Sequence, residues 1–204
     1  MKIAIIDYGM GNIHSVAKAI QVCGVDPIIT NKKNQISCAD KIILPGVGAF
    51  DDAMAELKKL DLVKVIQEQI NHKKPFLGIC LGMQLLLESS QEAKSNPGLG
   101  VLKGQVVKFK LAPGLKIPHM GWNDCKVADK NCLLLNNING QGQVYFCHSY
   151  YPQPTDQSVI AAVCNYGVEF GCVLHKDNVY GVQFHPEKSQ TMGLKIIKNF
   201  IELC

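Results

Sequence analysis

Along the first half of the chain, apolar residues fall in short unbroken runs closed by turn residues, with stretches of helical spacing between them. KIAIID at residues 2–7 is the first run, and in the following GNIHSVAKAIQVCG the positions Ile13, Val16, Ala17, Ile20 and Cys23 share one helix face. DPIIT, KIILPG and PFLGIC repeat the strand pattern. A helical stretch through AFDDAMAELKKLDLVKVIQEQINHK precedes PFLGIC, and a second, LGMQLLLESS, follows it. Strands that are apolar throughout are covered on both faces, so this alternation predicts an α/β fold with a mostly parallel central sheet and helices on both faces.

From about residue 97 the segments shorten, with Pro, Gly and Asn between them: VLKGQVVKFK, GQVYFCHSYY, SVIAAVCNYG, GCVLHKD and VYGVQFHPE. They predict antiparallel strands and hairpins added to the same sheet. QTMGLKIIKNFIELC closes the chain as a helix burying Ile196, Ile197, Phe200 and Ile201. With no internal repeat, low-complexity tract or linker, residues 1–204 are expected to form one domain.

Composition narrows the chemistry. A net charge of +4 is too mild to require nucleic acid or an anionic membrane as partner. All 21 basic residues are lysine, so the bidentate fork of arginine is missing and any phosphate site would rest on lysine or backbone N–H groups. The leading segment lacks a signal-peptide pattern and no apolar run approaches about 18 residues, so a soluble, cytoplasmic protein is expected. The nine cysteines are odd in number and form no C-x-x-C pair. They are read as reduced thiols rather than a disulfide or zinc framework, and neither metal nor cofactor is expected.

Against that background GICLG at 78–82 stands out. It is the cysteine form of the G-x-S-x-G nucleophile elbow, in which a strand turns sharply into a helix with the nucleophile at the bend. Gly78 and Gly82 would leave room where the two backbones nearly touch, and Cys80 would sit at a helix N-terminus that favours its thiolate. Taken alone, the segment also reads as a buried structural cysteine between two packing glycines. A nucleophilic thiol needs a base, and VYGVQFHPE supplies one as a strand ending at His185, with Glu187 two residues on and facing the same side. The carboxylate could then hold the imidazole tautomer and stabilise the imidazolium. His14, His72, His119, His148 and His175 lack such a partner, so surface or hydrogen-bonded structural roles are expected of them. LPGVGAF at 44–50 is another strand and glycine turn; the N–H groups of Val47, Gly48 and Leu81 could form an oxyanion hole, or the segment is a plain turn. DYGMGN fails as a dinucleotide fingerprint, because His14 stands where the third glycine belongs and no acid ends DPIIT.

PGVGAF, GICLGMQLL, PHMGWN, HSYY and FHPEKSQ, in this order across nearly the whole chain, resemble the class I (triad) glutamine amidotransferases. DYGMGN and PHMGWN narrow the resemblance to the glutaminase subunits of imidazole glycerol phosphate synthases. The resemblance implies that Cys80 attacks the side-chain amide of glutamine, His185 protonates the departing ammonia, and Glu187 orients His185. A thioester would form and then be hydrolysed to glutamate. Gly48, Gln84, Glu92, Ser149 and Tyr150 match the family's glutamine-holding positions. The PGVG peptide would need rearrangement before its N–H meets the oxyanion, leaving the free subunit nearly inactive. The implied partner is a (β/α)8 cyclase subunit that forms a heterodimer over the site, conducts the ammonia, and makes imidazole glycerol phosphate and an aminoimidazole carboxamide ribotide in histidine biosynthesis. Asn12, Met120, Trp122, Tyr145 and Lys188 would face it, although Trp122 taken alone also reads as ordinary core. Two alternatives stay open: a paralogue supplying ammonia to another acceptor such as a cell-surface sugar precursor, and an inactive scaffold. The second would be expected to lose Cys80 or the His185 and Glu187 pair.

Overall fold

The structure, a computed structural model, describes residues 1–110, 114–138 and 140–204. In its first half β1 (Ile3–Ile6), α1 (Ile13–Val22), β2 (Ile28–Thr30), α2 (Lys33–Ser37), β3 (Lys41–Gly46), α3 (Phe50–Lys59), α4 (Val63–Asn71), β4 (Phe76–Cys80) and α5 (Leu81–Gln84) follow one another. The second half is β-rich: β5 (Ser89–Ser90), β6 (Gly104–Lys108), β7 (His119–Val127), β8 (Gln141–His148), β9 (Tyr150–Pro154), β10 (Ile160–Asn165), β11 (Glu169–Lys176) and β12 (Val179–Val182) precede the closing helix α6 (Gln190–Leu203).

Among the described residues nine strands form one sheet in the order β2-β1-β3-β4-β12-β11-β10-β7-β8. Pairing is parallel from β2 through β12 and antiparallel from β12 to β8, as the change of texture along the sequence predicts. A smaller sheet, β5-β6-β9, stands beside it, so the expectation that every late strand joins the main sheet needs correction: VLKGQVVKFK supplies β6, which pairs with β5 and β9 instead.

The apolar runs divide between two cores. Ile3, Ile5, Ile43, Leu77 and Ile79 face α1 and α6, while Ile6, Ile42, Leu44 and Phe76 face α2, α3 and α4. This is the two-residue alternation of a strand, hidden in sequence because both faces are apolar. Lys41 is buried beside α6, where its Nζ donates to Phe200 O at 2.9 Å, a cation placed against helix C-terminal carbonyls.

The helical expectation for residues 49–73 needs correction, because the stretch is two helices. Asp61 takes φ 53°, its N–H bonds Lys58 O at 2.9 Å, and Leu62 N–H bonds Leu57 O at 2.9 Å. That is a Schellman stop with buried Leu57 against buried Leu62, and a sequence scan for glycine misses it. LGMQLLLESS is likewise not a helix beyond the one turn of α5. Residues 81–87 are buried all round, and the carbonyls of Leu85, Leu86 and Leu87 instead accept from Leu99, Leu102 and Gly100. The loop at 98–102 thus replaces the helical bonds. The short α2 and the long strand β7 are elements the apolar pattern did not announce.

Candidate active site

Cys80 ends β4 with φ 54° and ψ −108°, a conformation costing a non-glycine residue about 1–3 kcal/mol. Its neighbours make the bend possible. A β-carbon on Gly78 would lie 2.6 Å from Gly82 O, and one on Gly82 would lie 1.9 Å from Leu44 O on β3. The strained residue is held from both sides, and Cys80 is itself buried. Because α5 has four residues, its dipole contributes less at Cys80 than the longer helix expected there.

Parallel pairing of β12 with β4, Val182 beside Ile79, delivers the base to the nucleophile. The strand ends at Val182 rather than His185, and Pro186–Lys188 is a 3₁₀ turn. Strand alternation is therefore not what joins His185 and Glu187. The turn does it, placing Nδ1 of His185 3.0 Å from Glu187 Oε1 with side chains 4 % and 1 % exposed. The backbone of His185 is fixed in turn: its N–H bonds Tyr145 O at 2.9 Å and its carbonyl accepts from Ser189 Oγ at 2.6 Å.

Burial by itself would lower the pKa of His185. Hydrogen bonds and charges from Cys80 and Glu187 outweigh it and push the imidazole up to about 10. At neutral pH it is an imidazolium facing the sulfur of Cys80. Glu187 Oε2 is buried with no hydrogen-bond partner among the described residues, so the carboxylate's charge is directed at the imidazolium rather than spread over other donors.

A cavity of about 310 Å³ is lined by Val47, Gly48, Cys80, Leu81, Gln84 and Glu92 on one side. Ser149, Tyr150, His148, Cys147, Pro118, His185 and Lys188 close the other. Every oxyanion and glutamine-holding residue expected from the sequence thus meets in one space. Gly48 turns with φ +95°. Glu92 has a further task, since its Oε2 accepts from Phe50 N–H at 2.9 Å and caps α3. Gln84 spends its amide inward, with Nε2 donating to Tyr150 O at 2.9 Å and to Gln183 Oε1 at 3.1 Å.

His148, the first residue of HSYY, lines the cavity, although a surface or structural role was expected of it. Its Nδ1 lies 2.8 Å from Tyr150 O, an acceptor only, so Nδ1 carries the proton and Nε2 accepts from His119 Nδ1 at 3.0 Å. His119 Nε2 then faces the amide of Asn123 at 3.2 Å. Burial holds both rings in the neutral form, lowering His119 to about 4 and His148 to about 3.

At the mouth, β7 alternates His119 inward with Met120 and Trp122 outward, 61 % and 44 % exposed. The reading of Trp122 as core fails for this chain. Trp122 stands opposite Tyr145 in the β7/β8 register, edge to face at 6.2 Å, and Lys188 Nζ lies 5.7 Å from the Tyr145 ring centre. Asn12 caps α1 through its carbonyl, and α1 packs on the 3₁₀ turn that carries Lys188. Of the five, Lys188 lines the cavity, Tyr145 and Trp122 pair beside it, Met120 shares the outward face of β7 with Trp122, and Asn12 heads the helix packed on the Lys188 turn. Among the described residues no group of three His, Cys, Asp or Glu side chains is placed to hold a metal ion, and no helix is long and apolar enough to cross a membrane.

A family model described as glutamine amidotransferase class-I matches residues 4–203. The chain is 50 % identical over 200 residues to the imidazole glycerol phosphate synthase subunit HisH of Trichodesmium erythraeum, covering 98 % of this chain and 93 % of that one. It is 46 % identical to the same-named subunit of Acinetobacter baylyi over 98 % of both chains, and 48 % identical over 204 residues to HisH 1 of Methanococcus maripaludis, covering 98 % of this chain and 99 % of that one. Among solved structures, PurLQS from Thermotoga maritima superposes with a TM-score of 0.77 at 19 % identity, covering 98 % of this chain and 97 % of that one. A chain described as a glutamine amidotransferase superposes with a TM-score of 0.76 at 18 % identity over the same shares.

Proposed function

Since this chain belongs to the class-I glutamine amidotransferase family, we propose that it is the glutaminase subunit of an imidazole glycerol phosphate synthase, a single cytoplasmic domain that hydrolyses glutamine and passes ammonia to a cyclase subunit. The observation that carries the reading is the convergence of Cys80 and the His185–Glu187 pair on one cavity, with an apolar, lysine-edged surface at its mouth.

Glutamine enters the cavity beside Gln84, Glu92, Ser149 and Tyr150. The Cys80 sulfur attacks the side-chain amide carbon, a C–S bond forms, and the carbonyl electron pair moves onto oxygen. The N–H groups of Val47, Gly48 and Leu81 are the donors for that oxyanion. Nδ1 of His185 is committed to Glu187, so Nε2 delivers the proton as the C–N bond breaks and ammonia leaves. Water then adds to the thioester, His185 takes its proton, and the C–S electron pair returns to sulfur as glutamate departs.

Ammonia released into water would be protonated and lose its nucleophilicity, so the site must be covered during turnover. The exposed Met120 and Trp122, with Tyr145, Lys188 and Asn12, are the surface on which the cyclase sits. The acceptor is bound by the cyclase, in keeping with a chain that has no arginine.

The test is reconstitution. Glutamate release is measured for the chain alone, with a cyclase, and with the cyclase plus its nucleotide ligand. Release is expected to be low alone and to rise at least about 10²-fold in the full mixture, the worth of one aligned oxyanion donor. Equal rates in all three would mark a stand-alone hydrolase instead.

A further inference from the structure

Gln183, two residues before His185, buries its side-chain amide completely. Such burial is tolerable only when both ends of the amide are bonded. Its Oε1 accepts from Gln84 Nε2 at 3.1 Å, and its Nε2 lies 3.7 Å from the sulfur of Cys80.

The orientation follows from the neighbours. Tyr150 O can only accept, and it takes hydrogen bonds from His148 Nδ1 at 2.8 Å and Gln84 Nε2 at 2.9 Å. This fixes which end of the Gln84 amide is nitrogen. Its second hydrogen goes to Gln183 Oε1, which leaves the Gln183 nitrogen toward sulfur. Behind His148, His119 and Asn123 continue the chain of bonds to β7, the strand that exposes Met120 and Trp122.

We propose that Gln183 is a second hydrogen-bond donor to the Cys80 sulfur, set by Gln84, which steadies the thiolate before attack and again when it leaves the thioester. The proposal rests on Cys80 being the nucleophile. His185 serves the sulfur from the cavity side and must release its proton to ammonia during the reaction. Gln183 has no proton to lose and holds its bond throughout. In the deacylation step the C–S pair collapses onto a sulfur that already faces a donor, so the leaving thiolate is stabilised without new reorganisation.

The experiment follows alkylation of Cys80 by iodoacetamide across pH in the whole chain without glutamine, reading the modified peptide by mass so that the other eight cysteines do not interfere. Charged or titratable groups around Cys80 are His185 with Glu187 behind it, Tyr8, and His148, Glu92 and Lys188 along the cavity. All are retained in Gln183→Met, which keeps the side-chain length and removes the donor. The alkylation midpoint is expected to move up by about one pH unit, a tenfold slower reaction on its acid side. Glutamine turnover should fall with KM nearly constant. An unmoved profile, with or without a lower melting temperature, would reduce Gln183 to packing and overturn the proposal. Should Gln183→Met not fold, the same profile is read on Gln84→Met, where Gln183 is free to turn its oxygen toward sulfur. An upward shift is expected there, and its absence also overturns the proposal. Because no glutamine is used, this result is separable from the proposed function, which fails instead if Cys80→Ala still hydrolyses glutamine.

Discussion

Glu187 holds the Nδ1 nitrogen of His185 at 3.0 Å through one carboxylate oxygen while its other oxygen, also buried, bonds nothing among the described residues. The pair is thus built for charge rather than for satisfied hydrogen bonding, and His185 is raised to about 10 against the pull of burial by Cys80 and Glu187. A histidine whose folded pKa lies above its unfolded value stabilises fully below the unfolded value, near 6.5, and loses that stabilisation as pH rises through the folded one. Urea unfolding of the wild type and His185→Gln should therefore show a stability difference that shrinks between about pH 6.5 and about 10. His119 and His148 act oppositely: lowered to about 4 and 3, they stabilise above pH 6.5 and lose this as pH falls. A His185→Gln difference constant over the alkaline window would contradict the charged pair.

Removing the nucleophile should separate the two half-reactions. In a complex with the cyclase, Cys80→Ala is expected to abolish synthesis from glutamine yet leave synthesis from ammonium salt near the wild-type rate. His185→Ala should behave similarly. Glu187→Gln should be milder, since sulfur and imidazole stay in place and only the orienting charge is lost. Glutamate production by the Ala variant at an appreciable fraction of the wild-type rate would remove Cys80 from the reaction.

Trp122 is 44 % exposed, packed edge to face on Tyr145 and free of the core. Trp122→Ala should weaken the complex with the cyclase at least about tenfold, within the range of aromatic anchors at interfaces. Thermal unfolding of the isolated chain should barely change. Titration calorimetry together with a melting curve decides the matter, and a large fall in melting temperature at constant affinity would assign Trp122 to packing.

The bend at Cys80 rests on a backbone approach that no side chain can relieve. In Gly82→Ala the new β-carbon would lie 1.9 Å from the Leu44 carbonyl oxygen, so β3 and the elbow must part. A loss of about 3 kcal/mol or more is expected in urea unfolding, with Cys80 reactivity lost alongside it. A change within about 0.5 kcal/mol, the range of a neutral surface substitution, would mean that the elbow tolerates a side chain.

Local physics is what the sequence itself determined. Short apolar runs closed by turn residues are the pattern of strands covered on both faces, so β1, β3 and β4 were legible from their residues, as were α1 and α6 from helical spacing. Gly78 and Gly82 around Cys80 announced the bend because only glycine fits where two backbones touch. Tertiary structure decided the rest, because those choices depend on partners distant in the chain. Leu85–Leu87 left the helix that their composition favours once residues 98–102 offered their carbonyls other donors. His185 and Glu187 met through a 3₁₀ turn rather than strand alternation, and parallel pairing of β12 with β4 set them beside Cys80. Trp122, equally at home in a core by its chemistry, was turned outward because His119 took the inward face of β7. Gln183 carries no local signal at all: its importance arises only where β12, α5 and the elbow bring an amide, a second amide and a sulfur together.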